Sequence, residues 1–480
     1  MGSTHISKDL QSIFRVIDEN KAAMVGSLKE LVSIPSVSAQ TKHRADVKRC
    51  IDWTKKALEN EGVRVDLVPL IGDQNLCYGK SRSTPPVLLG STEYDSRKNT
   101  VMAYGYLDVH PAKKSDGWDM EPFVPEDRDG KVYGRGCAAG KGPMVAWIWA
   151  LKAFNIAGVA LPVNLRFVID STKEVGSQEV MDYIQSKMSS DFYCRTSSVV
   201  LSDGCWLEGS KPCISFGLRG MCYFQVDVTC ASQDLHSGVY GGTISEGMSD
   251  LVSLLNSLTD DDGCVSVPGF CDELATITED ENRILEHALF DLETFRKNLG
   301  VPQLTEKDKV EALKRIWQCP SLSIHGIQGA YSGSGEKAVI PGHVIGKFSV
   351  RTVPYQRSEK VRELITRHLE SEFAKRNSPN RLKVTMTTSC EPWTTYPRTA
   401  NFRAAQAAVK QVYGTVPGLI RSGASVAAAS TLYGRASLNT IQVPISAASG
   451  YCVNENIPVD DLVRGAKLFA AYCYEVARFP

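Results

Sequence analysis

A few short stretches of the chain concentrate residue types that do chemistry. Residues 104–112 read Tyr-Gly-Tyr-Leu-Asp-Val-His-Pro-Ala, so Tyr106 and Asp108 lie close together and His110 follows two residues later. Lys173 and Glu174 are adjacent, Asp203 comes next, and Tyr451 precedes Cys452. A desolvated lysine can lower its pKa and form a Schiff base with a carbonyl. Tyrosines can donate protons and carboxylates can accept them. Residues 234–238 read Asp-Leu-His-Ser-Gly and contribute His236. Arg351 offers a guanidinium, whose fork matches a carboxylate bidentately, and Ser425 closes the run Arg-Ser-Gly-Ala-Ser. Fourteen cysteines are scattered singly, with no C-x-x-C pair, and read as reduced, mostly buried thiols. Cys137 and Cys452 suggest a thiolate site, but isolated cysteines read more simply as small apolar residues.

These residues need elements to position them. The first third alternates helix and strand signals. An amphipathic stretch covers 10–31 before Pro35, and 44–59 reads as a second helix. Residues 63–69 and 99–109 read as strands, the latter a near-continuous apolar run of the buried parallel kind. Residues 143–156 are apolar on most faces and predict a buried helix. A strand over 163–169, a helix over 178–187 and a strand over 198–202 complete an α/β pattern. The texture changes near Gly209. Residues 221–229 alternate, 244–258 predict a helix, 344–353 a strand, 358–375 a helix and 381–387 a strand. Residues 260–318 form a mixed, charged insertion. From Asn401 the α/β pattern resumes and ends in a helix over 459–477.

With 480 residues the chain suggests two or three units. Lys plus Arg and Asp plus Glu are both 54. That balance argues against a nucleic-acid or anionic-membrane binder. A spanning helix needs about 20 apolar residues, and no run approaches that. The start, Met-Gly-Ser-Thr-His-Ile, has no apolar signal core, and Ile6 stands where a myristoylation pattern wants Ser or Thr. A cytoplasmic location is expected.

Several stretches together resemble the co-catalytic zinc dipeptidases that include cytosolic non-specific dipeptidase and carnosine dipeptidase. They are 104–112, Asp-Gly-Trp-Asp-Met-Glu-Pro-Phe at 116–123, Gly-Arg-Gly at 134–136 and Phe-Gly-Leu-Arg-Gly at 216–220. Further matches are 234–238, Pro-Ser-Leu-Ser-Ile-His-Gly at 320–326, Lys-Phe-Ser-Val-Arg-Thr-Val-Pro at 347–354 and Asn454-Glu455. The resemblance implies an α/β fold: a discontinuous zinc-peptidase-like α/β domain with an inserted α+β lid and dimerisation domain. On this reading 1–208 and 393–480 form the catalytic-type domain and 209–392 the lid, with the active site between them and two bridged metal ions.

The departures from the family pattern are chemical. The family's first metal histidine falls on Tyr106, while the following aspartate, which orients rather than ligates, is kept as Asp108. The bridging aspartate falls on Ala139. The paired glutamates, general base then ligand, read Lys173 and Glu174. The next ligand is kept as Asp203, and the last histidine falls on Tyr451. A catalytic zinc needs about three protein ligands, and each subsite keeps one. Tyrosine, with a pKa near 10, is a poor substitute for imidazole. An ammonium about 4 Å from a divalent ion costs roughly 8 kcal/mol at an effective dielectric of 20. That offsets most of the roughly 10–16 kcal/mol of a good zinc site. No metal and no other cofactor is therefore expected, and Lys173 is expected to replace the lost cation beside Asp108, Glu174 and Asp203.

The resemblance also implies that Arg351 holds a substrate carboxylate, that Ser425 contacts substrate, and that His236 reaches the partner of a homodimer. Ala338 stands for a family threonine, and 421–425 for the family's Arg-Glu-Gly-Gly-Ser. His236 and Arg351 have fold or dimer roles as the alternative. Three functions remain open. One is a degenerate dipeptidase that binds an amino-acid- or dipeptide-like carboxylate through His236, Arg351, Ser425, Glu174 and Asp203. Another is a metal-independent enzyme that condenses or cyclises a small amine, with Lys173, Tyr106, Tyr451 and Asp108 catalytic. The last is a residual metallodipeptidase. His110 reads as a loop histidine, Trp118 as packing, and His325 and His343 as structural.

Overall fold

The computed structural model describes residues 7–70, 84–207, 211–436, 439–447 and 450–479. The Met1–Ile6 pattern and the expected boundary at 208/209 lie outside these residues. The 10–31 stretch is two helices, Lys8–Glu19 and Lys21–Val32. Ser7 caps the first by accepting from the Leu10 N–H at 3.2 Å. Asn20 leaves helical geometry between them and turns its side-chain amide onto the Val16 carbonyl at 2.8 Å. A short polar side chain that satisfies its own turn thus divides one apolar stripe in two.

Among the described residues, nine strands form one large sheet. Its order is Arg64–Val68, Val87–Ser91, Asn164–Asp170, Thr100–Tyr106, Ser198–Leu201, Thr440–Gln442, Cys213–Leu218 and Trp393–Thr394, with Gly418–Ser422 also paired to Cys213–Leu218. Thr100–Tyr106 is buried throughout and runs parallel to both Asn164–Asp170 and Ser198–Leu201. This is the pattern expected of a strand covered on both faces. The covering helices include Lys141–Ala157, buried along most of its length, and Val459–Arg478. They meet where Trp147 stacks on Phe469, with ring centroids 4.2 Å apart.

The three adjacent parallel strands end side by side, so Tyr106, the turn after Asp170 and the loop after Leu201 lie together. Open α/β sheets present their chemistry at such carboxyl ends.

A second, antiparallel sheet has the order Ser321–Gln328, His343–Thr352, Gly220–Thr229 and Arg381–Cys390. Gly220–Thr229 alternates strictly between buried and half-buried positions. Its inward face stacks Phe224 on Phe348 at 5.1 Å beneath helices Gly247–Asn256 and Ser358–Lys375. The charged stretch 260–318 folds into short helices, Glu279–His287, Leu292–Leu299 and Lys309–Trp317, which pack on Trp206 and Ile420. The start of the insertion requires correction. Cys213–Leu218, expected within it, is fully buried and pairs into the large sheet, so the insertion's own strands begin at Gly220. Its uniform burial leaves no alternation to mark it.

The turn after Asp170 touches the second sheet beside the strand ends. Gly176 has φ +109°, and a Cβ built there would stand 2.8 Å from Thr388 Cγ2 on Arg381–Cys390. Only a glycine lets the turn after Lys173–Val175 lie this close. No helix among the described residues is long and apolar enough to cross a membrane.

Candidate functional site

Asp108 is the hub of the backbone around the strand ends. Its carboxylate accepts from the N–H groups of Lys173 at 3.0 Å and Glu174 at 2.9 Å, and from the Ser38 hydroxyl at 2.6 Å. These bonds fix the turn Lys173–Val175 against the end of Thr100–Tyr106. Burial raises the Asp108 carboxyl to about 7, with Asp170 and Glu174 adding to the rise. Asp108 therefore orients the site, and among its hydrogen bonds none goes to a tyrosine.

In front of this hub runs a directed chain of hydrogen bonds. The Lys173 ammonium donates to the Tyr451 hydroxyl. The hydroxyls of Tyr451 and Tyr106 are 2.6 Å apart, and Tyr106 donates to Asp203 Oδ1 at 2.8 Å. Lys173 Nζ also donates to Glu174 Oε1 at 3.3 Å and lies 4.0 Å from Asp203 Oδ2. It sits over the faces of Tyr106 and Tyr451, 4.5 and 4.6 Å from the ring centres. Lys173, Tyr106, Tyr451, Glu174, Asp203 and Asp108 are thus brought together.

Burial works against the Lys173 charge. Asp203, Tyr451 and Glu174 outweigh it and hold the ammonium above the ordinary lysine value. This is the reverse of the lowered pKa that Schiff-base chemistry expects. Burial also opposes the Glu174 carboxylate, but His110 and Lys173 bring it below its usual value. Burial drives both phenols up, Tyr106 furthest from water.

His110 lies in a loop, as expected, but it is not isolated there. Its Nε2 lies 2.7 Å from Glu174 Oε2, and its ring meets Tyr451 edge-on at 5.3 Å. It belongs to the cluster. A histidine two residues past a strand-end acid has the reach for such a contact, but its partner lies 64 residues further on.

Glu455 was read only as part of a matching run. Its buried carboxylate accepts from Arg135 Nη1 and the Gly136 and Ala138 N–H groups, each at 3.0 Å, and from the Ala139 N–H at 3.2 Å. That cradle ties the 134–139 loop to the segment carrying Tyr451. Tyr451 itself has φ 72°, a left-handed conformation costly for a bulky residue. A Cβ on the neighbouring Gly450 would come within 2.5 Å of Ala139 Cβ. Arg135 lies over Trp118 at 5.1 Å, which agrees with a packing role for that ring. Burial and Glu455 push the Cys137 thiol well above its ordinary value, which removes the thiolate reading.

The donor set does not fit a zinc pair. Zinc selects thiolate, imidazole and carboxylate, whereas two phenols and an ammonium fill this space. The cavity left between Tyr106, His110, Ala139, Glu174 and Tyr451 is about 10 Å3, room for about one water. Among the described residues, no group of three or more His, Cys, Asp or Glu side chains is arranged to hold a metal ion.

Arg351, on the second sheet, meets Ser425, in the loop after strand Gly418–Ser422 of the large sheet. Arg351 Nη1 donates to Ser425 Oγ at 2.7 Å, and Ser425 donates to the Gly220 carbonyl at 3.1 Å. His236 is exposed, and its Nδ1 accepts from the Gly238 N–H at 3.1 Å. Among the described residues, no hydrogen bond or ion pair joins His236 to either group.

Residues 102–475 match peptidase family M20/M25/M40. The chain is similar to the human Beta-Ala-His dipeptidase, 40% identical over 473 residues that cover 98% of this chain and 93% of that one. It superimposes on the crystal structure of human carnosine dipeptidase 1 with a TM-score of 0.91 at 39% identity, covering 98% and 99% of the two chains. On the di-peptidase Dug1p of Saccharomyces cerevisiae the TM-score is 0.94 at 33% identity, covering 99% and 100%.

Proposed function

The chain belongs to the M20/M25/M40 peptidase family, and we propose that it is a member without dinuclear-metal peptide hydrolysis. In this reading it keeps a pocket for an amino-acid- or dipeptide-like carboxylate. The observation that carries the proposal is the position of the Lys173 ammonium. It lies against Glu174, Asp203 and Tyr451 and supplies internally the positive charge that these carboxylates require. An ammonium there repels a divalent ion, and no carboxylate stands at position 173 to deprotonate an attacking water.

Arg351 and Ser425 would hold the ligand's carboxylate, and the part of residues 209–392 that carries the second sheet, from Gly220 on, would act as lid and homodimer interface. His236 would then serve the partner's site. The name of the similar human Beta-Ala-His dipeptidase supplies the first ligand to try, β-alanyl-histidine.

The test is metal content by mass spectrometry after soaking the pure protein in zinc and manganese and desalting, together with a dipeptidase assay. Near-zero metal and no hydrolysis are expected. One or two tightly held ions with chelator-sensitive hydrolysis would overturn the proposal and establish a residual metallodipeptidase.

A further inference from the structure

Among the described residues two neighbouring guanidiniums lack a counter-charge: Arg351, half-buried on strand His343–Thr352 of the second sheet, and Arg219, in the link between Cys213–Leu218 and Gly220–Thr229. Arg219 Nη1 donates to Ser321 Oγ at 3.0 Å and to the Cys319 carbonyl at 3.2 Å, and its Nε donates to the Gly423 carbonyl at 3.2 Å. Arg351 donates to Ser425. Every one of these acceptors is neutral. Among the described residues neither arginine forms an ion pair. The nearby acids are engaged elsewhere: Glu281 is held by Arg421, and Glu391 accepts from the Ser358 N–H.

Two independent links place the arginines side by side. Ser321, which Arg219 grips, is the cross-strand partner of Arg351. Gly220, next to Arg219 in the chain, accepts from the same Ser425 hydroxyl that Arg351 grips. The Arg219 N–H is bonded to the Ser422 carbonyl at 3.3 Å, so position 422 adjoins it and presents a neutral hydroxyl. Burial and the neighbouring Arg351 lower the Arg219 guanidinium to about 10. Two unpaired, partly desolvated guanidiniums are unfavourable until an anion bridges them.

We propose that Arg219 and Arg351 together bind a ligand head group carrying two negative charges, a dicarboxylate or a phosphate, rather than a single carboxylate. This rests on the reading of Arg351 as a carboxylate-binding residue and deepens it by naming the ligand's charge. Each guanidinium takes one anionic oxygen or oxygen pair, and Ser425 and Ser321 remain as the neutral ends of the cradle.

Isothermal titration calorimetry on the full chain with acetate, malonate and inorganic phosphate tests this. Malonate or phosphate is expected to bind at least about 10-fold tighter than acetate, the scale of one added charge-assisted hydrogen bond. The tighter of the two identifies the head group as dicarboxylate or phosphate. Arg219→Gln should erase the preference, with malonate or phosphate losing at least about 10-fold more affinity than acetate. Ser422→Glu, which supplies an internal carboxylate beside Arg219, should erase it too and serves if the first variant does not fold. Equal affinity for all three anions, or a uniform loss in both variants, overturns the two-guanidinium site. Acetate binding that depends on Arg351 but shows no preference overturns this inference alone. No anion binding at all overturns the carboxylate pocket with it.

Discussion

Tyr106 and Tyr451 are 345 positions apart in the chain, yet their hydroxyls approach to 2.6 Å. The contact closes a relay from an ammonium to a buried carboxylate, and every polar group in it has a partner. Buried polar networks of this kind are strong when complete and costly when one member is removed.

Lys173→Met removes the ammonium that faces both Glu174 and Asp203. Breaking a buried ion pair leaves an uncompensated charge and costs about 3–5 kcal/mol. The pH window follows from the two shifts. Glu174 titrates below its unfolded value, so its contribution is present above about pH 4.3 and is lost as pH falls. Lys173 titrates above its unfolded value, so its contribution is complete below about pH 10.4 and fades only above that. Denaturant unfolding at pH 6–8 should show the full loss, and the gap from the parent should shrink in strong acid. Equal stability at pH 7 would show that the ammonium does not neutralise the cluster.

Tyr106→Phe leaves Asp203 Oδ1 without its phenol donor and should destabilise the fold by about 1–3 kcal/mol. Tyr451→Phe removes the other phenol. Because the two groups share one relay, the double variant should cost less than the sum of the single ones. A coupling of about 0.5–3 kcal/mol is expected in a double-mutant cycle. Strict additivity would mean that the relay does not act as a unit.

Asp108, raised to about 7, gives a slope of the opposite sign to Glu174. The folded chain holds this proton where the unfolded chain has released it. Stability should therefore decline as pH rises from about 4 to 7. Asp108→Asn should flatten that decline, as read from unfolding curves at pH 5 and 8. An unchanged slope would assign the decline to another group.

Glu455→Gln removes a charge that Arg135 and the N–H groups of Gly136, Ala138 and Ala139 all address. A loss of about 3–5 kcal/mol is expected. It should be accompanied by faster hydrogen exchange at Ala138 and Ala139. Exchange unchanged at those amides would place the clamp elsewhere.

Much of the scaffold is legible in the sequence because periodicity reports burial. The helices Gln178–Lys187 and Ser358–Lys375 lie where their patterns predict. The alternation over 221–229 marks a strand with one covered face. Cys213–Leu218 escapes because burial on both faces erases alternation. Asn20 divides a continuous apolar stripe that periodicity alone joins. Within the site, the grouping of Tyr106, Lys173 and Tyr451 comes from resemblance and not from any local pattern. The His110–Glu174 pair and the four bonds to Glu455 depend on long-range approach, which spacing along the chain does not encode.

The Glu455 cradle has a consequence for redesign. It holds the main chain of the 134–139 loop and the 450–455 segment in register without any contribution from Tyr106, Lys173 or Tyr451. The frame and its contents are therefore separable. Replacing the contents with imidazoles and carboxylates would be an exchange of side chains on a preset mount, making this chain a ready host for installing metal chemistry by a handful of substitutions.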